Sequence, residues 1–316
     1  YITNRHINYS NICKNRCKFC AFSRDKDEAG SYAMEMEEIM EKAVAAVEEG
    51  ATELHIVGGL HPDLPFDFYV KMIGEIHECC PDVHIQAFTA VEIEHLSQIA
   101  KLPVRQTLKI LKEAGLGSLP GGGAEVFSPE IREQLCPEKL SGEGWLQVMR
   151  EAHNLGLRSN ATMLYGHVET PEDRVNHLIK LRDLQDETGG FLSFIPLAFH
   201  PKNTDLSNRS GTTAMLDLKV ISISRLMLDN FDHIKAFWIM LGIKLSQVSL
   251  SFGVDDIDGT VKEEKITHAA GAETPEALSV QEIINLIKEA GREPVERDTL
   301  YNPVKRHQRN IVLQKV

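Results

Sequence analysis

Three of the six cysteines fall in one eight-residue stretch, Cys13-Lys14-Asn15-Arg16-Cys17-Lys18-Phe19-Cys20. Spacing of i, i+4 and i+7 lets one compact turn present three thiolates to a common centre, with Asn15 and Arg16 placed to donate to nearby sulfurs. Three thiolates suit a four-iron cluster with one iron left open. The competing reading is zinc completed by a histidine such as His6 or His61, since zinc also takes three cysteines and one histidine. Structural zinc sites usually pair two short arms, however, and this sequence has no second arm. A protein that merely houses a cluster for electron transfer needs four cysteine ligands, and the loop supplies three. Cys79, Cys80 and Cys136 read as small buried hydrophobes unrelated to the cluster.

The elements that must position this loop are legible as a repeat. Apolar runs of four to seven residues alternate with segments of 3.6 period, which predicts a parallel sheet with crossover helices. Eight strands are expected, at His6–Ser10, Glu53–Gly58, His84–Thr89, Gly117–Gly121, Ser159–Tyr165, Leu192–Phe199, Ala236–Met240 and Ser249–Phe252. Helices are expected near 35–49, 66–80, 91–101, 104–115, 141–156, 171–188, 213–230, 241–246 and 279–290. Ser141, Thr170 and Ser279 are suitable N-caps, and Gly50, Gly115, Gly156 and Gly291 stop helices in matching positions. The pattern is that of an α/β protein with a (β/α)8 TIM-type barrel, a single domain over 1–316 with a tail from about 292. Function then belongs to the loops at the C-terminal ends of the strands, where the cysteine loop lies. Strand 1 begins almost at residue 1 and leaves nothing to close the barrel bottom, so a preceding segment is expected.

Composition narrows the partners. Lys and Arg number 34 against 46 Asp and Glu among 316 residues, a formal charge of −12. That balance gives no general attraction to nucleic acid or anionic lipid. At 42% hydrophobic and 25% charged residues the chain matches globular usage rather than disorder. No stretch approaches the roughly 20 apolar residues of a membrane span. Tyr1-Ile2-Thr3-Asn4-Arg5 lacks a signal-peptide core, and a cytoplasmic protein is expected.

Cys13, Cys17, Phe19 and Cys20, in the order Cys-x-x-x-Cys-x-aromatic-Cys after the first strand, resemble the signature of the radical S-adenosylmethionine superfamily. The resemblance implies a [4Fe-4S] cluster held by the three cysteines, with S-adenosylmethionine chelating the fourth iron and yielding a 5′-deoxyadenosyl radical. It implies that Gly58 and Gly59 receive the methionine amino group, although an ordinary strand-exit turn would look the same. Glu125, closing the run Gly121-Gly122-Gly123-Ala124-Glu125, becomes a cofactor-facing carboxylate or else a helix N-terminal charge. Phe19 and Thr89 complete the cofactor-facing set. The triple glycine lacks the Lys-Ser/Thr of a phosphate loop.

Four longer stretches, Asn8–Phe22, Val57–Pro62, Pro120–Pro137 and Asn160–Glu169, resemble the group of aminofutalosine synthases, dehypoxanthine futalosine cyclases and deazaflavin-forming FO synthase partners. Asn160-Ala161-Thr162-Met163-Leu164-Tyr165-Gly166-His167 and Leu197-Ala198-Phe199-His200-Pro201 look most like the aminofutalosine synthases. The cyclases would carry Thr and Phe at Asn160 and Tyr165, and Gln at His200. This resemblance implies radical addition to the enolpyruvyl double bond of 3-[(1-carboxyvinyl)oxy]benzoate, a small aromatic dicarboxylate, giving 6-amino-6-deoxyfutalosine on the route to menaquinone. A reductant such as flavodoxin or ferredoxin would supply the electron. Catalytic candidates are His61, Asn160, His167 and Asp255, with His200, Ser251 and Arg24 as further donors to the carboxylates. Each histidine could equally be a surface or supporting residue. Asp255 either closes the site from strand 8 or forms an Asx turn. Its Asp-Asp-Ile-Asp-Gly loop is not a calcium loop, because the first and twelfth positions are Val254 and Lys265.

Overall fold

A computed structural model describes residues 1–304. Seven parallel strands follow one another round the sheet in sequence order: β1 (Asn4–Ile7), β2 (Glu53–Ile56), β3 (His84–Ala87), β4 (Ser118–Leu119), β5 (Arg158–Tyr165), β6 (Phe191–Ala198) and β7 (His233–Ile234). Parallel strands need covered crossovers, and a helical layer supplies them. It comprises α1 (Met36–Glu48), α2 (Phe66–Cys79), α3 (Ala90–Ala100), α4 (Val104–Ala114), α5 (Pro129–Leu135), α6 (Gly142–Asn154), α7 (Pro171–Thr188), α8 (Ala214–Met227), α9 (Trp238–Leu241), α10 (Ile243–Ser249), α11 (Ile266–Ala269) and α12 (Val280–Glu289).

The helix limits follow from the caps. Ser141 accepts from the Gly144 N–H, while Thr170 with Asp173 and Ser279 with Glu282 form reciprocal capping boxes. One apolar core joins helix and sheet, with Ile39, Met72, Ile76, Leu111, Trp145, Met149 and Leu181 buried against Leu54, Ile56, Ala161 and Phe194.

The last two predicted strands are corrected by the structure. Ala236–Met240 runs largely into α9, and the seventh strand lies just upstream at His233–Ile234. Ser249–Phe252 ends α10 and continues as a turn. Short apolar runs buried on all sides cannot be assigned to strand or helix by periodicity, and Trp238 and Ile239 are fully buried within α9.

An irregular segment over 256–262 occupies the eighth position. It bridges to β7 through Lys235 and Asp256, and to β1 through Ile2 with Gly259 and Arg5 with Lys262. Left-handed backbone at Asp258 and Val261 interrupts it before a regular ladder can form. Its sequence, Asp-Ile-Asp-Gly-Thr-Val-Lys, carries only Ile257 and Val261 as apolar residues, separated by a glycine, and buries Asp256 and Asp258 beside them, so the strand signal is weak.

Below the strands, residues 296–304 cross the N-terminal end of the sheet. Arg297 N–H donates to the Tyr1 carbonyl, the Arg297 guanidinium pairs with Asp256, and Tyr301 stacks on His233 at 3.7 Å. The described part of the expected tail is therefore structural. Residues 305–316 lie outside the described residues.

Candidate active site

The cysteine loop is folded by its own polar side chains. Asn11 accepts from the Tyr32 N–H and donates to the Gly30 carbonyl, and Ser10 donates to the Tyr32 carbonyl. Asn8 donates to the Val57 carbonyl and anchors the loop on β2. Backbone bonds from Lys14 to the Leu60 carbonyl and from Lys18 to the Leu135 carbonyl then fix it between the glycine turn and the end of α5. Cys13, Cys17 and Cys20 are free thiols of intermediate exposure, and all three line one chamber with Phe19, Gly58, Gly59 and Thr89. Burial pushes the Cys13 thiol pKa up.

Cys136 is not unrelated to this group. It shares a hydrogen bond with Cys17, which with burial raises the Cys17 thiol well above its ordinary range. The bond between Lys18 and Leu135 explains the meeting, since each cysteine is one residue from that link. Cys80 is buried as expected, whereas Cys79 is exposed at the end of α2.

The glycine turn is forced by close packing. A Cβ on Gly59 would lie 2.2 Å from the Ile12 carbonyl oxygen, and one on Gly58 would lie 2.7 Å from the Tyr9 ring. Buried Glu92 holds the turn from below, accepting from the Gly58 N–H at 3.0 Å, the Tyr9 hydroxyl at 2.8 Å and both the backbone and hydroxyl of Thr89 at 2.8 Å. Burial raises the Glu92 carboxyl pKa against the pull of these donors. Thr89 is thereby both the N-cap of α3 and a wall of the chamber.

Glu125 sits at φ +51°, left-handed for a residue with a Cβ, after the glycine run leaving β4. Its carboxylate receives the Lys139 ammonium at 2.6 Å, and Lys139 lies 5.3 Å from the centre of the Phe19 ring. Burial opposes the Lys139 charge, but Glu125 and Cys17 outweigh it and hold its pKa above the ordinary range. Lys139 borders the cysteine chamber and a neighbouring one that also contains Glu125, Phe199 and His200.

A deeper chamber opens inside the sheet and shares Val57 and Thr89 with the cysteine chamber. Asn160 stands in its wall, accepting from Ser193 at 2.8 Å and donating to Gln86 at 3.4 Å. His6, His55, Phe237 and Lys235 are among its other lining residues.

The remaining predicted residues lie elsewhere. His61 accepts from the Asp63 and Leu64 N–H groups at 3.1 and 3.3 Å and shapes its own turn, and it borders none of these chambers. His167 spans the Leu164 carbonyl and the Val168 N–H beside Glu169. Asp255 pairs with Arg225 and His233 at an exposed position, Ser251 is exposed, and Arg24 donates to the Ala21 and Ser23 carbonyls. Thus the structure gathers Cys13, Cys17, Cys20, Phe19, Gly58, Gly59, Thr89, Glu125 and Asn160, and leaves His61, His167 and Asp255 outside. Sequence reasoning missed Cys136, Lys139 and Glu92. Only Glu92 carried a signal, the Thr-x-x-Glu of a capping box.

Comparison with known proteins agrees with this arrangement. The model of the radical SAM superfamily matches residues 7–181, and that of the CofH/MqnC C-terminal region matches 188–310. Aminodeoxyfutalosine synthase of Thermus thermophilus is 47% identical over 309 residues, covering 96% of this chain and 83% of that protein. The chain belongs to the radical SAM superfamily.

A second relative of this radical SAM enzyme, 5-amino-6-(D-ribitylamino)uracil–L-tyrosine 4-hydroxyphenyl transferase of Methanopyrus kandleri, is 43% identical, covering 96% of the chain and 84% of the relative. The crystal structure of methylornithine synthase (PylB) has the same fold, with a TM-score of 0.74 at 19% identity over 93% of this chain and 83% of that one. Membership implies a [4Fe-4S] cluster and S-adenosylmethionine. Three free thiols lining one chamber, beside a turn packed too tightly to accept a Cβ, fit that pair.

Proposed function

We propose that this radical SAM enzyme is an aminofutalosine synthase, joining the adenosyl group of S-adenosylmethionine to 3-[(1-carboxyvinyl)oxy]benzoate with release of methionine and bicarbonate. The 47% identity to a relative of that name over nearly the whole chain carries the reading. Cys13, Cys17 and Cys20 hold the cluster, and Gly58 presents its backbone to the methionine end. When bound there, the cluster would supply one-electron reduction of the sulfonium, with a flavodoxin or ferredoxin as its reductant.

The chain's own part is positional. Glu92 fixes the glycine turn, Val57 and Thr89 stand where the cofactor and substrate chambers meet, and Phe19 with Lys139 borders both the cofactor chamber and the neighbouring one that contains Glu125. Val57, Ile195, Leu197 and Met240 give the deeper chamber apolar walls that keep water from the radical. Holding the alkene near the radical is the main catalytic demand, because addition needs no acid or base at the attacked carbon.

The 43% identity to a tyrosine-using transferase favours a second reading, in which tyrosine and a ribitylaminouracil are the substrates. Anaerobic reconstitution followed by dithionite, S-adenosylmethionine and each substrate set, with mass spectrometry of the products, separates the two. The proposal expects a nucleoside containing both the adenosyl and benzoate skeletons. A product joining tyrosine's hydroxybenzyl carbon to the uracil, with only 5′-deoxyadenosine from the cofactor, would overturn it.

A further inference from the structure

The deeper chamber is lined by a buried ammonium group that has one hydrogen-bond acceptor among the described residues. Lys235 follows β7, its side chain is 6% exposed, and it lines the chamber. An ammonium carries three N–H donors. Among the described residues its one hydrogen-bond acceptor is Asp258, at 3.2 Å, and no other carboxylate lies within ion-pair distance. A buried charge with donors unmatched is costly unless something in the cavity accepts from it.

The wall beside Lys235 is aromatic. His6 lies parallel to His55 at 4.3 Å and parallel to Phe237 at 6.5 Å, with interplanar angles of 8° and 9°. Burial, with His55 and Lys235 beside it, pushes the His6 pKa below the ordinary value, and burial with Lys235 does the same for His55 against the pull of Glu53 and Asp258. Neutral rings of one orientation offer stacking surface to a further flat ring. Glu53, Asp258 and Glu264 line the same chamber, Glu53 held at 3.1 Å by Asn4, and Lys235 is the one Lys or Arg among its lining residues.

We infer that Lys235 is a specificity-determining residue that takes an oxygen substituent on the aromatic ring of the substrate, while the ring stacks against the His6–Phe237 wall. This rests on the reading of an aromatic substrate. The acceptor is the ring carboxylate of the benzoate, or the phenolic oxygen if tyrosine is the substrate. The ring-borne oxygen thereby points away from the cysteines and leaves the reacting end of the substrate facing them.

The test compares the holoenzyme with Lys235→Met, using paired ligands with and without the ring oxygen. These are 3-[(1-carboxyvinyl)oxy]benzoate against (1-carboxyvinyl)oxybenzene, and tyrosine against phenylalanine. Binding is measured by anaerobic calorimetry and turnover by KM and kcat. Whichever oxygen-bearing ligand the wild type uses should bind about 10- to 100-fold more weakly to the variant, the scale of one hydrogen bond to a charged group. Its partner lacking the oxygen should bind both proteins equally. Equal loss for both members of the pair, or no loss, would overturn the inference. If the variant does not fold, the wild type alone decides, since equal affinity for the paired ligands contradicts it. Which pair the wild type turns over bears on the proposed function separately.

Discussion

Cys17 and Cys136 are hydrogen-bonded neighbours, yet the two thiols should respond differently to removal. Cys17 sits in the loop that also presents Cys13 and Cys20 to the chamber, whereas Cys136 closes α5 behind it. Cys17→Ala should abolish the cluster's iron and its visible absorption after anaerobic reconstitution. Cys136→Ala, and the double variant Cys79→Ala with Cys80→Ala, should retain both. Loss of iron in either of the latter would show that the ligand set is wrong. The cysteine spacing was fully legible in the sequence because all three thiols come from one local turn. His61 and His167 were not, because a histidine beside a glycine-rich turn looks alike whether its ring enters a chamber or, as here, caps backbone within three residues of itself. Lys139 and Lys235 were equally hidden. Each acquires its meaning from a carboxylate brought to it by the fold, Glu125 for one and Asp258 for the other.

At the scale of elements, α3 shows how a helix start is coupled to the site. Its cap residue Thr89 and its third residue Glu92 form a capping box, and the same carboxylate holds the Gly58 N–H and the Tyr9 hydroxyl. Glu92→Ala removes the cap and leaves buried donors unmatched, so a loss of about 3 kcal/mol in urea unfolding is expected. S-adenosylmethionine binding should weaken with it. A second coupling lies in α11, where Thr267 lines the deeper chamber. The hydrogen bond from His268 to Glu264 raises the histidine pKa to about 9, against about 6.5 in an unfolded chain. The folded state therefore holds this proton more tightly. Its stabilisation is complete below about pH 6.5 and disappears as the pH rises through about 9. Between pH 6.5 and 9.5 the melting temperature of wild type should fall by more than that of His268→Gln, as measured by differential scanning calorimetry. Equal falls would exclude the pair. Long helices and their caps were readable because period and cap residues act locally, whereas β7 and the eighth segment were not, because tertiary pairing alone distinguishes them.

For the molecule as a whole, the sheet's two edges are joined by an irregular segment, and residues 296–304 cross the opening beneath. The alternation of strand and helix announced the parallel architecture but not this closure, which depends on charges meeting across the chain. Asp256 bridges to β7 through Lys235 and pairs with Arg297, and both side chains are buried. Burial alone would raise the Asp256 carboxyl pKa, but Arg297, the N-terminal amine and Lys235 hold it far below the usual range. A buried pair of this kind is costly to halve, because the surviving charge has no water to turn to. Arg297→Met should therefore destabilise the protein by about 3–5 kcal/mol in urea unfolding. Replacing both partners, Arg297→Met with Asp256→Leu, should recover part of that loss, since no charge is left stranded. Equal destabilisation by the single and double variants would mean that packing, not the ion pair, ties the closing segment to the floor of the sheet.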